Sequence, residues 1–176
     1  MTRYVAFLRA INVGGNRMVK MEVLRELFAK AGFKNITTYI QSGNVIFESA
    51  STDTAAIEAK IEKQMLKALG FEIPACVRSF KEMDAILKNN PFPGIVPDKE
   101  IQIYVAFLQT VPGANAQEIL TSLQSAAETY HINGREVYIL SRKTLMKTPF
   151  SNNYLEKKLG VVSTTRNLAT VGKVLL

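Results

Sequence analysis

Five residues occur twice in this chain: Tyr4-Val5-Ala6-Phe7-Leu8 returns letter for letter as Tyr104-Val105-Ala106-Phe107-Leu108, 100 positions later. A repeat of this kind restricts the fold to two related units, because each copy brings the same unbroken apolar run, the mark of a strand buried on both faces. Each copy is followed by a glycine-containing loop (Val13-Gly14-Gly15, and Pro112-Gly113), a helical pattern and two strand-like stretches. A chain of 176 residues is long enough to give each unit a core.

In the first unit a helix is predicted with Met21, Leu24, Leu27, Phe28 and Ala31 at helical spacing and Gly32 at its end. Strands over 36–40 and 45–48 flank Gln41-Ser42-Gly43-Asn44, a hairpin turn. A second helix carries Ile57, Ile61, Met65 and Leu69, starts at Ser51-Thr52-Asp53 and ends at Gly70, and residues 72–78 follow as a fourth strand. The order is β-α-β-β-α-β, the ferredoxin-like arrangement. Ser79 and Glu82 have capping-box spacing and open a linking helix. The chain then breaks at Asn89-Asn90-Pro91-Phe92-Pro93-Gly94, which sets expected domains of 1–90 and 91–176 sharing a core.

The second unit is predicted to hold a strand over 101–108, a helix from Asn115 with Glu118 completing a capping box, and a hairpin of 131–134 and 136–140 turning at Asn133-Gly134. Beyond Ser141 the units are expected to diverge: a short helix over 149–159 capped by Ser151 and stopped by Gly160, then a helix over 163–176 with Leu168, Val171 and Leu175 inward. The fold class expected is α+β, two ferredoxin-like units, the second divergent with C-terminal helices.

Chemistry is sparse. The single histidine, His131, and single cysteine, Cys76, support no Cys-His or Ser-His system, no cluster has metal-ligand spacing, and neither metal nor cofactor is expected. One cysteine permits no intrachain disulfide and suits the reducing cytoplasm. The opening run is too short for a secretory leader, and no stretch approaches the roughly 20 apolar residues of a membrane span.

The net charge of +7 favours an anionic partner, with four basic and no acidic residues over 1–20 and a second basic stretch over 135–166. The richest polar segment, Arg9-Ala10-Ile11-Asn12-Val13-Gly14-Gly15-Asn16, lies between the first strand and first helix, where glycine amides and Lys20 suit an anion. It lacks both the phosphate-loop ending and the dinucleotide fingerprint, and an ordinary loop shaped by its glycines is the alternative. Lys147-Thr148-Pro149-Phe150-Ser151-Asn152-Asn153 and Ser163-Thr164-Thr165-Arg166-Asn167 are further polar stretches, although capping and turn chemistry explain several of these residues. An arginine in the first turn of a helix opposes the dipole, so Arg166 is read as facing an anion or a carboxylate. Acidic residues fall on helix exteriors, where solvation accounts for them.

Residues 4–15, Thr38-Tyr39-Ile40-Gln41-Ser42-Gly43-Asn44-Val45 and Thr164-Thr165-Arg166-Asn167 together closely resemble the bacterial family called domain of unknown function 1697. The resemblance implies an α+β fold with ferredoxin-like halves and brings no activity or catalytic residue. Leu168-Ala169 depart from it, since the family's terminal motif continues with tryptophan and asparagine.

Three functions are weighed. The first is a small phosphorylated or carboxylated ligand held by Arg9, Asn12, Gly14, Gly15, Asn16, Lys20, Gln41, Ser42, Asn44, Thr165, Arg166 and Asn167. The second is a nucleic-acid-binding module, disfavoured because the strand Gly43-Asn44-Val45-Ile46-Phe47 lacks the basic-aromatic pattern that stacks bases. The third is a structural or partner-binding protein.

Overall fold

Every residue from Tyr4 to Leu8 is buried, and this segment lies inside β1 (Thr2–Leu8) of a four-stranded sheet. The computed structural model describes residues 1–148 and 150–176. Its chain divides into two units, Met1–Met83 and Asp84–Leu176. Among the described residues the fold is mixed α+β, with two four-stranded antiparallel sheets and six α-helices.

The first unit runs β1, α1 (Met21–Lys30), β2 (Lys34–Tyr39), β3 (Asn44–Ser49), α2 (Thr54–Leu69) and β4 (Ala75–Ser79), followed without a break by α3 (Phe80–Lys88). The sheet order is β2-β3-β1-β4 with every neighbouring pair antiparallel. Tyr4, Ala6 and Leu8 face one way, as the two-residue period of a strand requires, and pack with Leu24, Leu27 and Phe28 of α1 and Ile57, Ile61 and Met65 of α2. Asp53 caps α2 by accepting from the Ala56 amide (3.1 Å), and Gly70 ends it at φ 79°. The Ser79–Glu82 box forms: Glu82 Oε2 accepts from the Ser79 amide (2.7 Å) and Ser79 Oγ accepts from the Glu82 amide (3.2 Å).

The second unit runs β5 (Ile101–Leu108), α4 (Ala116–Leu123), β6 (Glu128–Asn133), β7 (Glu136–Arg142), α5 (Asn152–Leu159), β8 (Ser163–Asn167) and α6 (Leu168–Lys173). Its sheet order, β6-β7-β5-β8, repeats the first. Ala106, Val137 and Ile139 form a core with Leu120 of α4 and Leu155 and Leu159 of α5. Ser151 caps α5 through the Tyr154 amide (3.4 Å) and Gly160 ends it at φ 67°. The expected start of that helix at Pro149 lies outside the described residues.

Three expectations change. Residues 163–167 are a strand, not the start of a helix, and the units stay parallel in element order to the end of the chain. Arg166 therefore stands in β8 opposite Val105, and the dipole argument for it lapses. Its guanidinium donates to Thr164 Oγ1 (2.9 Å) and the Thr165 carbonyl (3.0 Å). Asn115 precedes α4 without a side-chain capping bond, so the box with Glu118 does not form.

The carboxylates are also more than solvated. β4 and β8 are edge strands, and their outward amides meet helix carboxylates: Glu58 Oε1 accepts from Val77 N–H (2.8 Å), Glu62 Oε1 from Ala75 N–H (3.0 Å) and Glu156 Oε1 from Ser163 N–H (2.7 Å). These bonds occupy donors that would otherwise invite another strand. No helix among the described residues is long and apolar enough to cross a membrane.

Candidate functional site

In the first unit, the predicted polar residues form a braced pair of loops. Five residues between Ala10 and Arg17 have positive φ: Ala10, Asn12, Gly14, Gly15 and Arg17. Asn12 holds this contour. Its Nδ2 donates to the carbonyls of Val19 (3.0 Å) and Gln41 (2.8 Å), and its Oδ1 accepts from the Val19 amide (2.7 Å). Asn44, completely buried, donates to the Tyr39 carbonyl (2.9 Å) and Ser42 Oγ (2.9 Å). Between them Gly43, at φ 83°, passes so close to the core that a Cβ there would lie 2.7 Å from Ile11 Cδ1 and 3.0 Å from Leu8 Cβ.

Asn12, Gln41, Ser42 and Asn44 are thus brought together, with Asn12 and Asn44 donating to backbone carbonyls and Asn44 also to Ser42 Oγ. Gly14, Gly15 and Asn16 form an exposed tip closed by the Asn16 amide on the Val13 carbonyl (3.0 Å). The Arg9 amide donates to the Pro74 carbonyl (2.9 Å). Lys20 precedes α1 without capping it. None of these residues lines any of the three cavities described below.

Thr165 and Asn167 of the second unit do line a cavity, one of about 550 Å³. It lies on the helix-covered face of that sheet. α5 is 8 residues long against 16 in α2, which leaves it about 12 Å shorter at 1.5 Å per residue. The segment between β7 and α5 borders the space instead: Lys143, Met146, Lys147, Thr148 and Phe150 line it, with Tyr104 from β5, Ser141 from β7 and Asn152 from α5. Arg166, which alternates to the other face of β8, does not.

Several of these groups are engaged. Asn152 Oδ1 accepts from Ser163 Oγ (2.8 Å) and Thr165 Oγ1 (2.8 Å), and its Nδ2 donates to the Ser163 carbonyl (2.9 Å), which fixes α5 against β8. Ser141 Oγ donates to Met146 Sδ (2.9 Å). Other groups are not. Lys143 and Lys147 are exposed and have no carboxylate partner among the described residues, and no acidic side chain lines the cavity. Tyr104 stacks on Phe150 with ring centres 6.1 Å apart, and burial raises its phenol pKa above the ordinary tyrosine value.

A neighbouring space of about 540 Å³ shares Thr148 and Phe150 with the first and holds Glu128 and Tyr130. The Tyr130 hydroxyl donates to Glu128 Oε2 (2.6 Å), and burial, then this bond and the carboxylate charge, raise its pKa. The first unit has a cavity of about 420 Å³ lined by residues including Arg3, Tyr4, Ser79, Lys81 and Glu82. No group of histidine, cysteine, aspartate and glutamate able to hold a metal occurs among the described residues.

Of the candidate ligand residues, Thr165 and Asn167 line this cavity; the sequence named Lys147 and Asn152 only within a polar stretch, and did not single out Tyr104 or Lys143 as lining residues. The basic stretch over 135–166 held the signal for the lysines, and the repeated pentapeptide held it for Tyr104.

Among solved structures the chain is similar to the conserved bacterial protein SP0830 from Streptococcus pneumoniae, at 23% identity and a TM-score of 0.69, covering 99% of this chain and 97% of that one. At this identity the likeness speaks to the fold. No curated protein matches the chain at a significant level. The family described as "Protein of unknown function (DUF1697)" matches residues 1–138, more than three quarters of the sequence, and the chain belongs to that family.

Proposed function

We propose that this protein binds a small phosphorylated or carboxylated molecule in the 550 Å³ cavity of its second unit. The observation that carries the reading is the sign of the cavity: among the described residues, two lysines without carboxylate partners line a space with no acidic side chain. The two ammonium groups are exposed, so they give the cavity a positive potential that favours an anion, and an anion held there gains charge-assisted hydrogen bonds. The volume falls in the range of about 300–1,000 Å³ usual for small-molecule sites, and Met146, Phe150 and Tyr104 supply the apolar wall such sites have. In this reading the first unit's loops are structural, since Asn12 and Asn44 are directed at backbone.

Each unit serves as a ferredoxin-like scaffold in this proposal, supported by a strand order that reads 4-1-3-2 within each unit. A cytoplasmic location fits a buried, lone cysteine.

The test is thermal stability against sugar phosphates, nucleotides, carboxylates and short oligonucleotides at two salt concentrations. A ligand at a hundredfold its dissociation constant stabilises by about 2.7 kcal/mol, a shift of a few degrees. A salt-tolerant shift from one small anion, lost in the double variant Lys143→Ala/Lys147→Ala, supports the site. A shift from oligonucleotides alone, and only at low salt, replaces it with nucleic-acid binding.

A further inference from the structure

Tyr4 and Tyr104 open the repeated pentapeptide and hold the same register. Tyr4 stands opposite Phe47 of β3 and Ser79 of β4. Tyr104 stands opposite Ile139 of β7 and Asn167 of β8. Each lines a cavity of its own unit. The same side chain on the same strand therefore meets two environments, and the first copy serves as an internal reference for the second.

Their hydroxyls differ. Tyr4 donates to the Ser51 carbonyl at 2.8 Å. The Tyr104 hydroxyl has no hydrogen-bond partner among the described residues, although the residue is partly buried and burial raises its pKa. The residues beside them follow suit. Ser79 is closed on Glu82, which accepts from its hydroxyl at 3.0 Å and its amide at 2.7 Å. Asn167, in the place of Ser79, accepts from the Thr170 amide through Oδ1 (2.8 Å), and its Nδ2 has no acceptor among the described residues. Thr170 also stands where the first unit has Glu82, so the second unit has no carboxylate there. One copy completes its polar contacts internally; in the other the Tyr104 hydroxyl and the exposed Asn167 carboxamide, on paired strand positions, line one cavity.

We propose that Tyr104 is a specificity-determining residue of the second unit's cavity, its hydroxyl, with Asn167 Nδ2 beside it, donating to an acceptor on the bound molecule. This rests on the anion reading above: Lys143 and Lys147 hold the negative group, and Tyr104 reads a carbonyl, ether or hydroxyl oxygen elsewhere on the ligand. The ligand class is narrowed to a phosphorylated or carboxylated molecule with such an oxygen on an apolar or planar body, packed against Phe150 and Met146. The first unit's cavity does not take this ligand, because Tyr4, Ser79 and Glu82 already satisfy one another or the backbone.

The experiment measures dissociation constants and melting temperatures for the full chain and the variants Tyr104→Phe, Tyr4→Phe and Lys143→Ala/Lys147→Ala. Sugar phosphates, nucleoside monophosphates and aryl carboxylates serve as probes, with inorganic phosphate as the probe that lacks a body. Tyr104→Phe is expected to weaken the best organic probe about tenfold, as loss of one well-formed hydrogen bond does, to leave inorganic phosphate unchanged, and to keep the melting temperature of the unliganded protein. Tyr4→Phe is expected to lower the melting temperature and leave affinity alone. If Tyr104→Phe binds every probe as the parent does while the lysine variant has lost binding, the assignment of Tyr104 is overturned and the anion site stands. A melting temperature lowered as far by Tyr104→Phe as by Tyr4→Phe also overturns it, because the hydroxyl then has a structural partner. Binding undiminished in the lysine variant, or no binding by any probe, overturns the anion site and this inference with it.

Discussion

Asn12 shows how much one side chain can decide in a loop of uncommon backbone geometry. It adopts φ 54° itself and ties two loops together with three hydrogen bonds. Asparagine tolerates the left-handed region better than other residues with a side chain, and its carboxamide can both donate and accept. Asn12→Ala should therefore destabilise the protein by about 1–3 kcal/mol, since it strands partly buried groups of Val19 and strains the new residue. Chemical denaturation measures this, and a loss below about 0.5 kcal/mol, typical of an inert surface change, would show the brace to be dispensable. The sequence marked Asn12 but not the bonds it makes: polarity in a glycine-rich loop reads the same whether its target is a ligand or the loop's own carbonyls. Arg166 illustrates the same limit, because its dipole argument depended on a secondary structure the segment does not adopt.

At the scale of elements, most of the fold was legible. Apolar spacing located α1, α2 and α4, the glycines at 32, 70 and 160 lie at positive φ where helices end, and Asn133-Gly134 marked the β6–β7 hairpin. The error fell on β8. Ser163, Thr164 and Thr165 read equally well as helix caps or as a strand, and Leu168, Val171 and Leu175 at helical spacing decided wrongly. Pairing with β5 decides otherwise, because the threonines gain a ladder that no local signal announces. The edge carboxylates were hidden for the same reason. Glu58 sits among helix residues in sequence, yet it is buried and accepts from Val77 on the edge of the sheet. Glu58→Ala should cost about 2 kcal/mol by leaving that amide unsatisfied. Hydrogen exchange at Val77 reports it directly: faster exchange is expected, and unchanged protection would mean the bond contributes nothing.

At the scale of the whole molecule, three tyrosines of the second unit share a direction. Burial raises the pKa of Tyr104 and Tyr130, and it pushes Tyr138 up to about 12, helped by the charge of Glu136. Tyr138 also donates to the Ile86 carbonyl at 2.7 Å. A group with a raised folded-state pKa stabilises fully below its unfolded value and loses that contribution as pH rises through the folded one. Stability should hold below about pH 10 and fall between about pH 10 and 12. Melting temperature across that range, with phenolate absorbance followed at each pH, checks this. Tyrosines that ionise well before unfolding would contradict it.

The short α5 carries the widest consequence. Where α2 lays four turns of helix over its sheet, α5 lays two and leaves the remainder to Lys143, Met146, Lys147, Thr148 and Phe150. Of the cavity's lining, only Tyr104 falls within the stretch over which the family match extends. The lysines thus come from chain that the short helix leaves free, whereas Tyr104, Ser141, Thr165 and Asn167 come from the strands themselves. Replacing the two lysines should therefore alter binding at the proposed site and leave the sheet intact.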